Sequence, residues 1–365
     1  MDRWAVDIDR DDITKAVLVA EREAVLPAGA IEVAIDLFAM TANNVTYAAL
    51  GRPTGLLGPD AGYWDFFAER DQPGRLPVWG FATVTRSHAP DIKMGEVLYG
   101  YWPMASHAIL LPERVGAAGF IDATPRRRHL PALYNRYQRL ASLEDYDQED
   151  RSYWPVFRPL YLTGWLVADQ LADARDHEAE QVLVTAASSK TALGFAHAMR
   201  ERDERPDLVA LTSARNHDFV KATKLYDRVL LYADVAMLDA EMSTALIDFA
   251  GDAGVTRAIH HHFGDRLALS MIVGVTHWDA PRDGSAMPGP RPTGFFAPAR
   301  MDKRTAEWGP GALRDRIAAG WGRFMADVRG LTQIDARQGA DDALAAYLEA
   351  VAGRADPRRS VVVGH

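Results

Sequence analysis

Five consecutive residues, Ser188-Ser189-Lys190-Thr191-Ala192, gather hydroxyls and one ammonium group in a single short stretch. Such groups, together with the N–H groups of a helix start, suit a phosphate. The stretch follows an apolar run, Val182, Leu183 and Val184. It leads into a pattern that sets Leu193, Ala196 and Met199 on one side of a helix. Strand, tight turn and helix form the first unit of a dinucleotide-binding sheet. The usual turn carries glycines that let backbone approach the pyrophosphate. Here those places hold small residues that are not glycines. The same residues fit equally an ordinary strand–turn–helix that binds no nucleotide.

Other candidates also stand just after apolar runs. Thr212, Ser213, Arg215 and Asn216 follow Leu208–Leu211, and the next acid is Asp218. An acid at this strand end would grip ribose hydroxyls. A guanidinium with hydroxyls suits a 2′-phosphate instead, through charge-assisted and bidentate bonds. The bland alternative is an exposed turn with a helix cap. His277 and Trp278 follow the run Leu267–Gly274, and Phe296 lies within Phe295–Pro298 at the end of another short run. Tyr47 comes three residues after Asn44. A phenol there could donate a proton to a carbanion or enolate. Tyr63 and Tyr101 compete for that role, and each is otherwise a packed aromatic. His260-His261-His262 invites a metal. Successive helix positions point about 100° apart, so three neighbours do not readily chelate one ion. They read as a helix C-terminus, where histidine suits the dipole.

The elements that must hold these residues differ along the chain. Ala16–Ala20, Ile31–Phe38, Val78–Thr85 and Val97–Tyr101 read as strands without helical crossovers, which suggests a small barrel-like domain. Ala42–Leu50 reads as a short helix or turn. Ala123–Arg151, with Arg126, Arg127 and Arg128 together, reads as a solvated connection with one short helix. Phe157–Leu171 reads as an apolar helix. From Val182 the chain alternates: strands at 208–211, 228–232, 242–249, 267–274 and 293–297, helices at 218–224 and 255–262. Alternation of this kind implies a doubly wound parallel sheet, with ligands beyond the carboxyl ends of its strands. Asp341–Ala352 reads as a helix and Ser360–Val363 as a last strand.

Composition narrows the class. A length of 365 residues suits about two domains. The net charge of −9, with no long basic block, argues against nucleic acid as a partner. With no cysteine, disulfides, thiolate nucleophiles and cysteine zinc sites are excluded together. No apolar run approaches membrane-spanning length, and early charges such as Arg3 and Asp7 break any leader pattern, so a cytoplasmic protein is expected.

The order of motifs resembles the medium-chain dehydrogenase/reductase superfamily, nearest its zinc-free quinone and enoyl reductases. The resemblance rests on Glu32–Asn44, on Leu76-Pro77-Val78-Trp79-Gly80 with Gly95-Glu96-Val97-Leu98, on Leu160–Trp165, and on Val182–Gly194. More narrowly, Ser188–Ala192, Gly264-Asp265, Val273–Trp278 and Phe295-Phe296-Ala297-Pro298 resemble the DUF2855 family. The resemblance implies an α/β fold, with a Rossmann-like parallel sheet over 155–335 and a GroES-like β-rich barrel from 1–154 and 336–365. It implies a zinc-independent oxidoreductase that takes NADP and passes hydride to an activated double bond or carbonyl of a small molecule. Tyr47, Asn44 and His277 then become the catalytic candidates. Ser188, Ser189, Lys190, Thr191, Thr212, Ser213, Arg215, Asn216, Trp278 and Phe296 become the cofactor candidates. A homodimer is the assembly that goes with such a fold, and no metal is expected. The other reading is a divergent member that binds a nucleotide or another ligand without turnover.

Overall fold

The computed structural model describes residues 3–274 and 287–365, so His277 and Trp278 lie outside the described residues. The chain divides into two compact units, one made of 1–156 with 333–365 and the other of 157–332.

In the first unit the strands are β1 Trp4–Ile8, β2 Ala16–Ala20, β3 Ile31–Met40, β4 Pro77–Ser87, β5 Val97–Pro103, β6 His107–Leu110, β7 Pro112–Gly116, β8 Gly119–Asp122 and β9 Arg136–Arg139. Helices α1 Ala42–Ala49 and α2 Ala132–Asn135 accompany them. The second unit opens with α3 Trp154–Asp173, which starts three residues before the division. It continues with β10 Gln181–Val184, α4 Lys190–Arg200, β11 Asp207–Thr212, α5 His217–Thr223, β12 Arg228–Leu231, β13 Thr244–Asp248, α6 Ala253–Phe263, β14 Leu267–Ile272, β15 Thr293–Gly294, α7 Ala297–Trp308 and α8 Pro310–Leu331. The chain then returns to the first unit as β16 Gln333–Gln338, α9 Gly339–Val351 and β17 Arg359–Gly364.

The second unit holds one parallel sheet in the order β12-β11-β10-β13-β14-β15. Strand order reverses at β10, the first strand in sequence, so a crevice opens beyond the carboxyl ends of β10 and β13. Every residue of β10 is buried. Alternate side chains of a strand face opposite sides, which is why an unbroken apolar run suits this central position. Leu183, Val209, Leu211 and Leu246 pack with Ile259 and Phe263 of α6 on one face. Helices α3 and α4 approach to backbone contact. A Cβ on Gly164 would lie 2.4 Å from Phe195 N, and one on Gly194 would lie 2.9 Å from Tyr161 Cα. That approach holds the start of α4.

The first unit is built on a mixed sheet in the order β16-β17-β3-β4-β5-β9-β8-β7, with β6 also on β3. Strand β17 runs antiparallel to β3, from Val361 opposite Met40 to Gly364 opposite Leu37. Two expectations change here. Residues 123–151 are not a solvated connection: β9 joins the sheet between β5 and β8, and Arg127 is 1% exposed. Arg127 donates to Asp122 Oδ2 at 2.8 Å and to the Tyr137 hydroxyl at 2.9 Å. The run read as a sixth strand over 293–297 is paired only at Thr293 and Gly294, because α7 begins at Ala297.

Glu32 of β3 is almost wholly buried and binds Arg3 at 2.7 Å and Arg86 at 2.7 Å. Burial alone would raise its pKa. The hydrogen bonds and charges of the two arginines outweigh that and hold it at about 2, below the ordinary 4.5. A carboxylate depressed in this way contributes its stability above its unfolded pKa and loses it as pH falls through the folded one. Glu32→Gln is therefore expected to cost about 1–3 kcal/mol at neutral pH. The gap should shrink as the medium is taken below 4.5 toward 2. Urea midpoints of both proteins at neutral pH and near the lower limit check this, and a constant gap would contradict it.

Candidate functional site

The turn after β10 is held from several sides. Thr185 is buried, and its hydroxyl donates to Asp248 Oδ1 at 2.6 Å. Asp248, at the end of β13, also accepts from the N–H groups of Ala250 and Gly251 at 2.9 Å and from the Thr256 hydroxyl at 2.9 Å. Ala186 has φ 44, a left-handed conformation natural to glycine, and its N–H donates to the Tyr232 hydroxyl at 3.0 Å. The Tyr226 hydroxyl donates to Ala187 O at 2.9 Å. The turn thus adopts a glycine-type path without glycine, with tyrosine hydroxyls fixing its backbone.

Ser189 caps α4, and its Oγ accepts from Ala192 N at 3.3 Å. Lys190 opens the helix, with its ammonium 6.0 Å from the centre of the Phe157 ring. Thr191 follows it, half-buried. Ser188 Oγ accepts from Asn216 Nδ2 at 3.1 Å, which ties the turn after β10 to the turn after β11. Asn216 Oδ1 is buried and has no hydrogen-bond partner among the described residues. Thr212 is buried, Ser213 half-buried and Arg215 exposed. The structure therefore brings Ser188, Ser189, Lys190, Thr191 and Asn216 together. Phe296 stands apart as the half-buried residue before α7.

In the first unit, Asn44 is spent on structure. Its Oδ1 accepts from Thr41 N at 2.8 Å and from the Thr41 hydroxyl at 3.1 Å, and its Nδ2 donates to Pro77 O at 3.1 Å. Tyr47 lies one helical turn on, 6% exposed, in a cluster of aromatic rings. Its ring centre is 4.6 Å from that of Tyr63 and 5.5 Å from that of Tyr101, and its hydroxyl is 3.4 Å from Trp79 Nε1. The Tyr63 and Tyr134 hydroxyls lie 3.4 Å apart, and the buried Tyr101 hydroxyl has no partner within hydrogen-bond geometry among the described residues. Burial pushes the pKa of Tyr47, Tyr63, Tyr101 and Tyr134 upward, so each phenol keeps its proton at neutral pH.

Sequence reading passed over Thr185, Tyr226, Tyr232 and Asp248. For Asp248 a signal existed, since the strand-end rule that pointed to Ser188 applies equally after β13. The tyrosines lie far along the chain and gave none. His260, in α6, donates from Nδ1 to Pro288 O at 2.8 Å, and its Nε2 then accepts from the Ser270 hydroxyl at 2.9 Å. His262 reaches Leu238 O at 2.9 Å. Among the described residues no group of three metal-binding side chains is present. No described helix is long and apolar enough to cross a membrane.

No curated protein matches the chain. Among solved structures, CurA from Vibrio vulnificus in complex with NADPH is similar at 13% identity and a TM-score of 0.64, over 99% of this chain and 98% of that one. The yhdH oxidoreductase from Salmonella enterica in complex with NADP is similar at 16% identity and a TM-score of 0.52, over 99% of each chain. The quinone oxidoreductase from Coxiella burnetii is similar at 13% identity and a TM-score of 0.53, over 100% of this chain and 99% of that one. Identities this low establish the fold: a Rossmann-like parallel sheet with a GroES-like β-rich unit. The model of DUF2855, described as a protein of unknown function, matches residues 38–356. The chain belongs to the DUF2855 family.

Proposed function

We propose that this protein is a zinc-independent, NADPH-dependent reductase that acts on an activated double bond or carbonyl of a small molecule. The observation that carries the reading is the pair of adjoining strand ends, β10 and β11, bridged by Asn216 and Ser188. It leaves Asn216 Oδ1 buried and, among the described residues, without a hydrogen-bond partner beside the turn after β10. A buried acceptor without a donor costs about 1–3 kcal/mol, so a ligand hydroxyl or amino group is its natural complement. The left-handed Ala186 and the small residues after it lead into the N-terminus of α4, the kind of turn that suits a pyrophosphate. These residues fit the dinucleotide.

In this reading Ser188, Ser189, Lys190 and Thr191 hold the pyrophosphate. Thr212, Ser213 and Arg215 hold the 2′-phosphate. The bound cofactor supplies hydride. Tyr47, protonated at neutral pH, supplies the proton, and Asn44 positions it by fixing α1 to Pro77. Phe296 is assigned to the apolar wall beside the nicotinamide. The second reading, binding without turnover, is favoured by one observation: alanine, not glycine, occupies the left-handed place in the turn.

Thermal melting with NADPH, with NADH and without ligand separates these readings from no binding at all. A ligand at 100 times its dissociation constant stabilises the folded state by about 2.7 kcal/mol. NADPH is expected to raise the melting temperature more than NADH, and no shift with either would sink the proposal. Oxidation of NADPH followed at 340 nm, roughly the reduced nicotinamide band, with quinone and enone acceptors then tests turnover. Arg215→Glu should weaken NADPH by about 1–3 kcal/mol and NADH far less, because only NADPH loses a charged partner. Equal loss for both in calorimetry would remove the 2′-phosphate assignment.

A further inference from the structure

The first unit contains a cavity of about 680 Å³ that the proposed reductase chemistry does not use. It is lined by residues of that unit alone, drawn from β1, β2, β3, β5 and β6, from the turn at Pro125–Arg127 and from connecting segments that carry Arg22, Phe67 and Arg75. This volume lies in the range of small-molecule sites, about 300–1,000 Å³. Its charged lining comprises Arg3, Arg22, Arg75 and Arg126 with Asp7, Glu21 and Glu32. Phe67, Pro103 and Ile109 add an apolar wall.

The four guanidinium groups are not equally neutralised. Arg3 is held by Glu32 at 2.7 Å, although Glu32 is shared with Arg86. Arg75 is held by Asp7 at 3.1 Å and by Glu21. Arg126 is held only loosely, by Glu69 at 3.5 Å and Phe66 O at 3.4 Å. Burial and the neighbouring Arg127 charge both disfavour its ionised form. It stays charged all the same, since guanidinium does not lose its proton in proteins. Arg22 follows β2, is exposed, and makes no ion pair among the described residues. A cation that is partly desolvated and poorly paired gains most from an arriving anion.

We propose that this cavity is a binding site for a small organic anion. A carboxylate or phosphate head is gripped by Arg126 and Arg22, and an apolar body lies on Phe67, Pro103 and Ile109. A compact inorganic anion would leave that wall uncovered, and an uncharged molecule would leave the guanidinium groups as they are. Both halves of the ligand are therefore needed. The site is separate in sequence and in chemistry from the strand ends assigned to the dinucleotide, so it stands whether or not NADPH binds.

Titration calorimetry on the intact protein tests it with four probes: hexanoate, phenyl phosphate, hexanol and inorganic phosphate. Hexanoate or phenyl phosphate is expected to bind saturably, at least about tenfold more tightly than hexanol or inorganic phosphate. Arg22→Gln removes an exposed cation with no ion pair among the described residues and so leaves folding intact. It is expected to weaken the better probe by about three- to tenfold. Arg126→Gln should weaken it by tenfold or so, with NADPH affinity unchanged. Absence of saturable heat with both organic anions at millimolar concentration would overturn the proposal. Equal binding of hexanol would do the same, as would unaltered affinity in Arg22→Gln and Arg126→Gln alike.

Discussion

Arg127→Met is expected to cost about 3–5 kcal/mol of folding stability, the range for removing one partner of a buried ion pair. The side chains of Arg127 and Asp122 are 1% and 0% exposed. Methionine would fill much of the space between Phe67 and Tyr137, over which the guanidinium now lies at 4.6 and 5.6 Å. It would not neutralise Asp122. That carboxylate would keep its bonds from Leu111 N at 2.8 Å and the Thr124 hydroxyl at 2.8 Å, but its Oδ2 would lose its cation. Neighbouring groups would suffer too, since Arg127 also reaches Tyr134 O at 3.1 Å. Pairing the change with Asp122→Asn removes the stranded charge and should recover a part of the loss. Urea unfolding of the wild type, the single and the double variant measures both effects. A single-variant loss under about 1 kcal/mol would show that the pair is worth no more than an exposed one.

Asp248→Ala should be nearly as damaging, about 3 kcal/mol or more, and its effect should reach the dinucleotide. Two main-chain N–H groups and two hydroxyls converge on this one carboxylate. Each buried donor left without an acceptor costs about 1–3 kcal/mol, though Thr256 can still use Asp252 O at 2.9 Å. Because Asp248 fixes Thr185, it sets the path into Ala186 and Ala187. NADPH affinity is expected to fall by about tenfold or more in Asp248→Ala and by less in Asp248→Asn, which keeps one acceptor oxygen. Lost stability with undiminished affinity for NADPH would separate Asp248 from the turn and confine it to packing.

How much of this could be read beforehand depends on what each residue buries. Val182–Val184 and Leu208–Leu211 lie between other strands, so their apolar runs announce them. Strand β16 is Gln-Ile-Asp-Ala-Arg-Gln at the edge of its sheet, with no residue fully buried, and such a stretch reads as loop. Its place comes from pairing with β17, information held some 25 residues further on. The three arginines 126–128 look alike in sequence. Only the fold decides that Arg127 is sealed beside Asp122 while Arg126 faces a cavity. The turn after β10 was legible in position, from strand, small residues and helix. Its supports were not, because Tyr226, Tyr232 and Asp248 come from later strands and connect to it only in space. Asn44 shows the opposite limit: its place after β3 is legible, but its bonds to Thr41 N and Pro77 O are not.

The division of the chain also sets an order of events during synthesis. Residues 157–332 form one uninterrupted unit and can begin to fold as soon as they are made. The other unit cannot close so early. Strand β3 waits for β17, and the Tyr347 hydroxyl reaches Ile13 O at 2.7 Å across 334 positions of sequence. Until then the Leu37–Met40 end of β3 is unpaired on that edge and the apolar surface under α9 is bare, the features that attract chaperones or promote association between nascent chains. Loop closure is eased once 157–332 has collapsed, because a compact insert brings its two ends nearer than a random coil of the same length would. The parallel sheet then acts as a folding aid to the β-rich unit that encloses it in sequence.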